Sequence, residues 1–401
     1  MFGKKEILYP LVIDISENRV TVVDYTIDRK TGNTLIRGVG DVKLPFGVVS
    51  TDAIDQESFL TKSVSSAIAQ VRTESKHKDD ISAVIGVSGP LLEVKNRTIE
   101  VSREKPKQKI KHKEWMQIIN DVYTQFDSEV YINSQGHNLP LSLVQVSLNN
   151  ILLDEEEVVD PILKQANLIK LETLNTYIPA NYKNALIHIA KSNNFHIDGV
   201  YQVGSAVGQL VLDYNTSKDL SVILIDIKFG QTSISVIQNQ KIIYAQSFSM
   251  GSHSFTQAIA NAFQITIDEA ETVRKEYNLL QLPRDMARRI TESLESEVSL
   301  WLQGVVLSLQ ELNLPMLPPY IFIYGEGADL VGIKEVLEYG GWYKLLNIVT
   351  KPHISILTPK QFPHMVDMTS TINSSKYLDI LGLIHIASIP MEVHLPYRIS
   401  E

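Results

Sequence analysis

Two stretches of this chain share one pattern of hydrophobic and polar positions. Near the start, Leu11-Val12-Ile13-Asp14-Ile15 is apolar around a single acid. The turn Ser16-Glu17-Asn18 follows, then the β-branched run Arg19-Val20-Thr21-Val22-Val23-Asp24-Tyr25, which predicts a strand and its antiparallel return. In the second half, Ser221-Val222-Ile223-Leu224-Ile225-Asp226 leads through Ile227-Lys228-Phe229-Gly230-Gln231 into Thr232-Ser233-Ile234-Ser235-Val236-Ile237, and Asn239-Gln240 turns into Lys241 to Phe248. Each half therefore opens with an apolar strand ending in Asp, a tight turn and a return strand. The interval between them is that of a duplication, far too long for a solenoid repeat.

Helical periodicity follows the second meander over His253 to Gln264, Ile267 to Leu279 with Thr266 as the opening residue, and Asp285 to Leu312. A buried strand, Tyr320 to Tyr324, then ends at Gly325. Strands, helices, a strand and a helix in that order predict an α/β lobe. Residues 88 to 178 break the pattern, with a helix expected over His112 to Phe126 and strands around Leu141-Val146 and Leu168-Tyr177. Asp154-Glu155-Glu156-Glu157 reads as an exposed acidic turn. The expected organisation is a first lobe over 1–87 and 179–217, an inserted α+β module over 88–178, a second lobe over 218–390 and a tail over 391–401.

Composition narrows the function classes. A chain of 401 residues, 44% of them hydrophobic, can bury a large core and should form more than one domain. No run approaches the roughly 18 apolar residues of a membrane-spanning helix, and Met1 to Glu6 lacks a signal-peptide core. A cytoplasmic location is expected. The absence of cysteine excludes disulfides, thiolate metal sites and a cysteine nucleophile. A net charge of −9 argues against nucleic-acid binding. The basic run Lys105 to Lys113 reads as a solvated loop, or else as a contact for an acidic partner or anionic lipid.

Two strand-terminal carboxylates, Asp14 and Asp226, are placed to organise the waters of a Mg²⁺ ion, while backbone N–H groups of the two turns face phosphates. Each Asp also suits simple turn capping. Gly325-Glu326-Gly327-Ala328, after a buried strand, would let bare backbone approach a nucleoside. Glu271 and Arg274, three residues apart, share a helix face and could reach a ribose or purine, or form a surface ion pair.

The succession Asp14-Ile15-Ser16, Asp226 to Thr232 and Gly325 to Ala328 resembles the two phosphate motifs and the adenosine motif of the actin, sugar-kinase and heat-shock-chaperone superfamily. Two bacterial families are nearest, the cell-division protein FtsA and the pilus-assembly protein PilM. The stretch Phe248 to Ala260, continuing to Asp268-Glu269-Ala270-Glu271, is similar to both. Gly204-Ser205-Ala206 and the late helix Tyr377 to Ala387 resemble the connections that join the lobes. The insert, with Gly86-Val87-Ser88-Gly89, Val94 to Val101 and Asp160-Pro161-Ile162, looks like the small FtsA module, and PilM has a related one. The opening Met1 to Lys5 is more like PilM.

The resemblance implies a two-lobed actin-like, duplicated ribonuclease-H-like α/β fold with a small inserted α+β module. It implies ATP and Mg²⁺ as cofactors, with binding residues Asp14, Ser16, Asp226, Gly230, Thr232, Gly251, Glu271, Arg274, Gly325, Gly327 and Ala328. Asp14 and Asp226 would hold the metal through water, and no residue is assigned to catalysis. The sequence also departs from the pattern. Lys228 and Phe229 replace glycines, Gln231 and Ser233 replace Thr and Asp of the second phosphate loop, and Glu17 sits in the first loop where phosphate charge would gather. Glu17, Lys228 and Phe229 therefore stand against ATP.

The expected function is an FtsA-like division scaffold, non-catalytic or a very slow ATPase, linking a filament of a tubulin-like division protein to the envelope, with self-association. The alternative is a PilM-like cytoplasmic component of type IV pilus assembly that captures an inner-membrane partner. A nucleotide-driven switch is a further reading, and a small-molecule kinase lacks a candidate general base. Pro390 and Pro396 oppose an amphipathic anchor helix in the tail, so membrane contact is expected to be indirect.

Overall fold

The structure, a computed structural model, describes residues 11–50, 54–72, 81–89, 92–126, 130–134, 137–215, 217, 219–388 and 395–396. The readings of Met1 to Glu6 and of the tail, apart from 395–396, lie outside the described residues.

The chain begins with β1 (Leu11–Ser16), β2 (Arg19–Ile27) and β3 (Thr34–Lys43), followed by α1 (Glu57–Arg72) and β4 (Ile81–Val87). An insert follows: β5 (Glu93–Ser102), α2 (His112–Phe126), β6 (Val130–Ser134), β7 (His137–Leu153), β8 (Glu156–Glu157) and β9 (Leu168–Pro179). The first lobe is then completed by α3 (Ala180–Ser192) and β10 (Phe195–Gln202), and α4 (Val203–Tyr214) crosses to the second. There, β11 (Val222–Ile227), β12 (Thr232–Gln238) and β13 (Lys241–Phe248) are followed by α5 (Ser252–Phe263), α6 (Ile267–Asn278) and α7 (Arg284–Glu311). The chain continues through β14 (Tyr320–Tyr324), α8 (Ile333–Tyr339), β15 (His353–Ile356), β16 (Met365–Asp367), α9 (Leu378–Ser388) and β17 (Leu395–Pro396).

The sheet orders make the duplication explicit. One sheet runs β10-β4-β1-β2-β3-β16, another β13-β12-β11-β14-β15. In each, the strand carrying the key Asp pairs antiparallel with its hairpin partner and parallel with the next strand: Asp14 opposite Thr21 and Gly86, Asp226 opposite Ser233 and Tyr324. Residues 11–15 of β1 and all of β11 are buried, because helices cover both faces of each sheet. A strand buried on both sides reads as a continuous apolar run, so each single Asp stood out in the sequence.

Helices α4 and α9 lie between the two sheets and share their core with Val12 and Val84 of one and Val222 and Leu224 of the other. They cross closely at Gly382, where a Cβ would stand 2.7 Å from the Val207 nitrogen. The outer faces are covered by α1 and α3 on the first lobe and by α5, α7 and α8 on the second.

One boundary differs from the sequence reading. Met365–Asp367, within the stretch assigned to the second lobe, pairs parallel with β3 and extends the first sheet. Three alternating residues carry no signal of which sheet edge they will join, since pairing is decided by what lies alongside.

In the insert, β7, β9 and β5 form the sheet path, and α2 packs Trp115, Ile118, Ile119 and Val122 against it. The spacing puts all four on one helix face. Arg103 is buried and holds the loop that precedes α2. Its guanidinium donates to Glu114 at 2.8 and 3.1 Å and to the carbonyls of Ala166 and Gln108 at 2.9 and 3.0 Å. The basic run is thus folded around a buried Arg. The acidic turn is structural too, since the Asp154 carboxylate accepts from the backbone of Asn167 and Leu168 at 2.8–3.0 Å.

Candidate functional site

The cleft between the lobes is built from the C-terminal ends of β1 and β11, their following turns, the turn after β14 and the start of α9. Its lining carries five carboxylates, Asp14, Glu17, Asp226, Glu326 and Asp379, against three cations, Arg19, Lys228 and Lys376. Space remains for about 30 Å³, enough for a water or two.

Lys228, the residue after β11, turns its ammonium inward. It contacts the Asp379 carboxylate and stands 3.5 Å from Asp226, and all three side chains are at least nine-tenths buried. Burial opposes the ammonium charge, but Asp379, Asp226 and Asp14 overcome it and hold its pKa above the ordinary lysine value. Burial raises the Asp14 carboxyl to about 6, with Lys228 pulling the other way and Asp379 adding to the rise. Asp226 is pushed well up by burial and then by Asp379.

Glu17 also turns inward. Its carboxylate lies against the Gly230 backbone so closely that a Cβ there would collide with it. Burial raises Glu17 to about 7, with Lys228 opposing and Glu326 reinforcing. Further contacts cross the cleft. Asn18 Nδ2 donates to Glu326 Oε2 at 3.1 Å, Gln231 Nε2 donates to Ser88 Oγ at 2.9 Å, and Lys43 Nζ lies 3.8 Å from Glu271. At the mouth, Phe229 packs on His253 at 4.6 Å between ring centres and on Phe46 of the first lobe at 6.4 Å.

The second phosphate loop is fixed from behind. Ser252 and His253, opening α5, donate backbone N–H groups to the carbonyls of Lys228 and Phe229 at 2.8 Å. Gly251 sits so close beneath that any Cβ would strike those carbonyls.

The sequence-predicted residues divide accordingly. Asp14, Ser16, Asp226 and Gly325 line the cleft. Gly325 adopts φ +90°, and a Cβ there would press on Asp226, which is why glycine stands at this turn. Gly230 lies beneath Glu17. Thr232 is fully buried, donates to the Met250 carbonyl at 2.7 Å and accepts from Trp301 Nε1 at 2.9 Å, so its hydroxyl is engaged inside the lobe. Gly251 is packing, Gly327 lies against Ile227, and Ala328 belongs to the second-lobe core. Glu271 pairs with Lys275 at 2.7 Å rather than acting with Arg274, which is buried. Sequence reasoning missed Asp379; the signal was an acid in the first turn of an otherwise apolar helix.

The two lobes, their matched hairpins and the crossing helices define the class: the chain has the actin-like ATPase fold. Residues 199–353 match the family described as type IV pilus assembly protein PilM. The solved structure of a PilM-PilN type IV pilus biogenesis complex holds a chain that is 13% identical with a TM-score of 0.68, over 96% of this chain and 100% of that one. The cell division protein FtsA of Staphylococcus epidermidis is 26% identical over 189 residues, and that of Bacillus subtilis (strain 168) 25% identical over 199. Those matches cover 41% and 48% of this chain but only 39% and 42% of the relatives.

The fold implies Mg²⁺ and ATP, and the side chains that occupy this cleft stand against them. Lys228 stands 3.5 Å from Asp226, one of the two carboxylates that would hold a hydrated metal, and the Glu17 carboxyl covers Gly230, where a phosphate would approach the backbone. A triphosphate would have to displace Glu17 from Gly230 and compete with Asp379 and Asp226 for the Lys228 ammonium.

Proposed function

We propose that this protein is a PilM-like, non-catalytic scaffold that holds an inner-membrane partner of a pilus-type assembly, rather than an enzyme that turns over ATP. The observation that carries this reading is the whole-length likeness to the PilM chain, insert included, together with a cleft filled by the protein's own side chains. Because that neighbour was solved in a complex with PilN, a PilN-like segment is the partner proposed here. Among the described residues no helix is long and apolar enough to cross a membrane, so envelope contact would run through the partner. The insert would carry such a partner on a sheet joined to the second lobe: Asn96 and Asn149 donate to the carbonyls of Ile243 and Ile242 at 3.0 and 3.2 Å, tying it to β13.

The FtsA matches favour a second reading, a division scaffold. Deletion of the gene separates the two. Loss of pili with normal septation supports the pilus role, while filamentous cells with pili intact would overturn it. Rapid Mg²⁺-dependent ATP hydrolysis by the purified chain would overturn both scaffold readings.

A further inference from the structure

Asp14, Asp226 and Asp379 reach one point from three separate elements, the ends of β1 and β11 and the first turn of α9. Their relative exposures are 7%, 1% and 7%. Three carboxylates converging in a buried part of the cleft repel one another, and their lobes would part unless a cation or protons stood between them. In a nucleotide-binding cleft of this design a metal ion answers that need. Here the position is reached by an ammonium that is part of the chain.

We propose that Lys228 is a tethered replacement for the metal cation, holding the two lobes closed without metal or nucleotide. The ammonium lies 3.5 Å from Asp226 of the second lobe and contacts Asp379 at the start of α9, the helix that packs on β1 and β4 of the first lobe, while its backbone is clamped by the Ser252 N–H to the Lys228 carbonyl and by Lys228 N–H to the Gln231 carbonyl at 2.9 Å. The loop backbone is therefore fixed to the start of α5, and the side chain is held by its two carboxylate contacts. A lysine reaches a carboxylate cluster as a compact point charge, which suits the place of a small cation. Unlike a metal ion it cannot dissociate, so closure becomes a fixed property of the fold rather than a response to ligand.

The ties around the cluster point the same way. Glu17 on Gly230, Asn18 to Glu326, Gln231 to Ser88, and Phe46 on Phe229 all join one lobe to the other without any bound group. In a cleft that opens and closes on nucleotide, such contacts would compete with the ligand. In a latched one they reinforce the lysine. This inference concerns the cleft alone and does not require the pilus partner.

The absence of native cysteine allows a clean test. Lys30→Cys on the first lobe and Lys334→Cys on the second, both exposed, carry spin labels whose separation is measured by pulsed electron resonance. In the otherwise unchanged chain, the separation is expected to be single and unaltered by EDTA, by millimolar Mg²⁺ or by Mg²⁺ with ATP. In the Lys228→Ala background it is expected to broaden or lengthen in EDTA and to recover on adding Mg²⁺ alone. A separation that shortens on Mg²⁺-ATP in the Lys228 protein would overturn the proposal, as would a Lys228→Ala distribution identical to it in EDTA. Should Lys228→Ala not fold, Lys228→Met with Asp379→Leu and Asp226→Asn removes the cation and both carboxylates it touches. Recovery of folding and of the closed separation is expected, since Asp14 is left with no carboxylate to repel, and failure to recover either would overturn the proposal. Loss of partner binding with the lobes still closed would count against the scaffold reading and leave the latch standing.

Discussion

Replacing Glu17 by Gln should stabilise the protein, and increasingly so as the pH rises from 5 to 8. The Glu17 carboxyl is raised from 4.5 to about 7, by burial first, with Glu326 adding to the rise and Lys228 opposing it. Its Oε1 is buried without a hydrogen-bond partner. The folded protein thus keeps this proton up to about pH 7, while the unfolded chain releases it near 4.5. Between those values the folded state binds more protons, so stability falls as pH rises through the window. The linkage relation makes the ionised carboxylate a destabilising contribution of about 1 kcal/mol at pH 5 and about 3 kcal/mol at pH 8. Gln keeps the shape, cannot ionise, and offers an amide donor towards the Glu326 carboxylate. Urea unfolding of both proteins at pH 5, 6, 7 and 8 measures the difference directly. The variant should gain stability over the parent progressively with pH. Asp14, whose carboxyl is raised to about 6, titrates in both proteins and largely cancels. A difference that is independent of pH, or a variant less stable at pH 8, would refute the inward placement of Glu17.

Two further substitutions test the frame that holds the cleft. Gly382→Ala places a methyl 2.7 Å from the Val207 nitrogen where α9 crosses α4, and the overpacking should cost about 1–3 kcal/mol, read as a lower urea midpoint; an unchanged midpoint would mean the helices do not cross that tightly. Arg103→Lys keeps the charge but loses the planar fork that serves Glu114, Gln108 and Ala166, so it should cost on the order of 2 kcal/mol. Limited trypsin digestion should then cut the loop from Lys105 to Lys113 faster than in the parent, and equal rates would show that the clamp is dispensable.

Much of the fold was legible because the relevant signals are local. A continuous apolar strand with one acid, a turn and a β-branched return specify a hairpin by period and turn chemistry, and they did so twice, which revealed the duplication. Helix α2 lies over His112 to Phe126 as its apolar spacing required, and α6 opens on Thr266 with Glu269 closing a capping box. The oddity of Lys228, Phe229 and Glu17 was also visible, since side chains stood where a phosphate loop needs bare backbone.

What those side chains do was decided by tertiary structure. A lysine in a phosphate loop could equally face solvent or an anion. It faces inward because Asp379, 151 positions later in the chain, is delivered by α9 to the same point as Asp226. The charge of Glu17 favours a place in water, yet lobe closure sets it on Gly230. Thr232 and Ala328 belong to motifs that resemble ligand contacts, but Trp301 and the second-lobe core claim them. Periodicity along a chain reports which face of an element is apolar. Which distant charges meet in a buried cleft depends on how the lobes are brought together, and no local pattern records it.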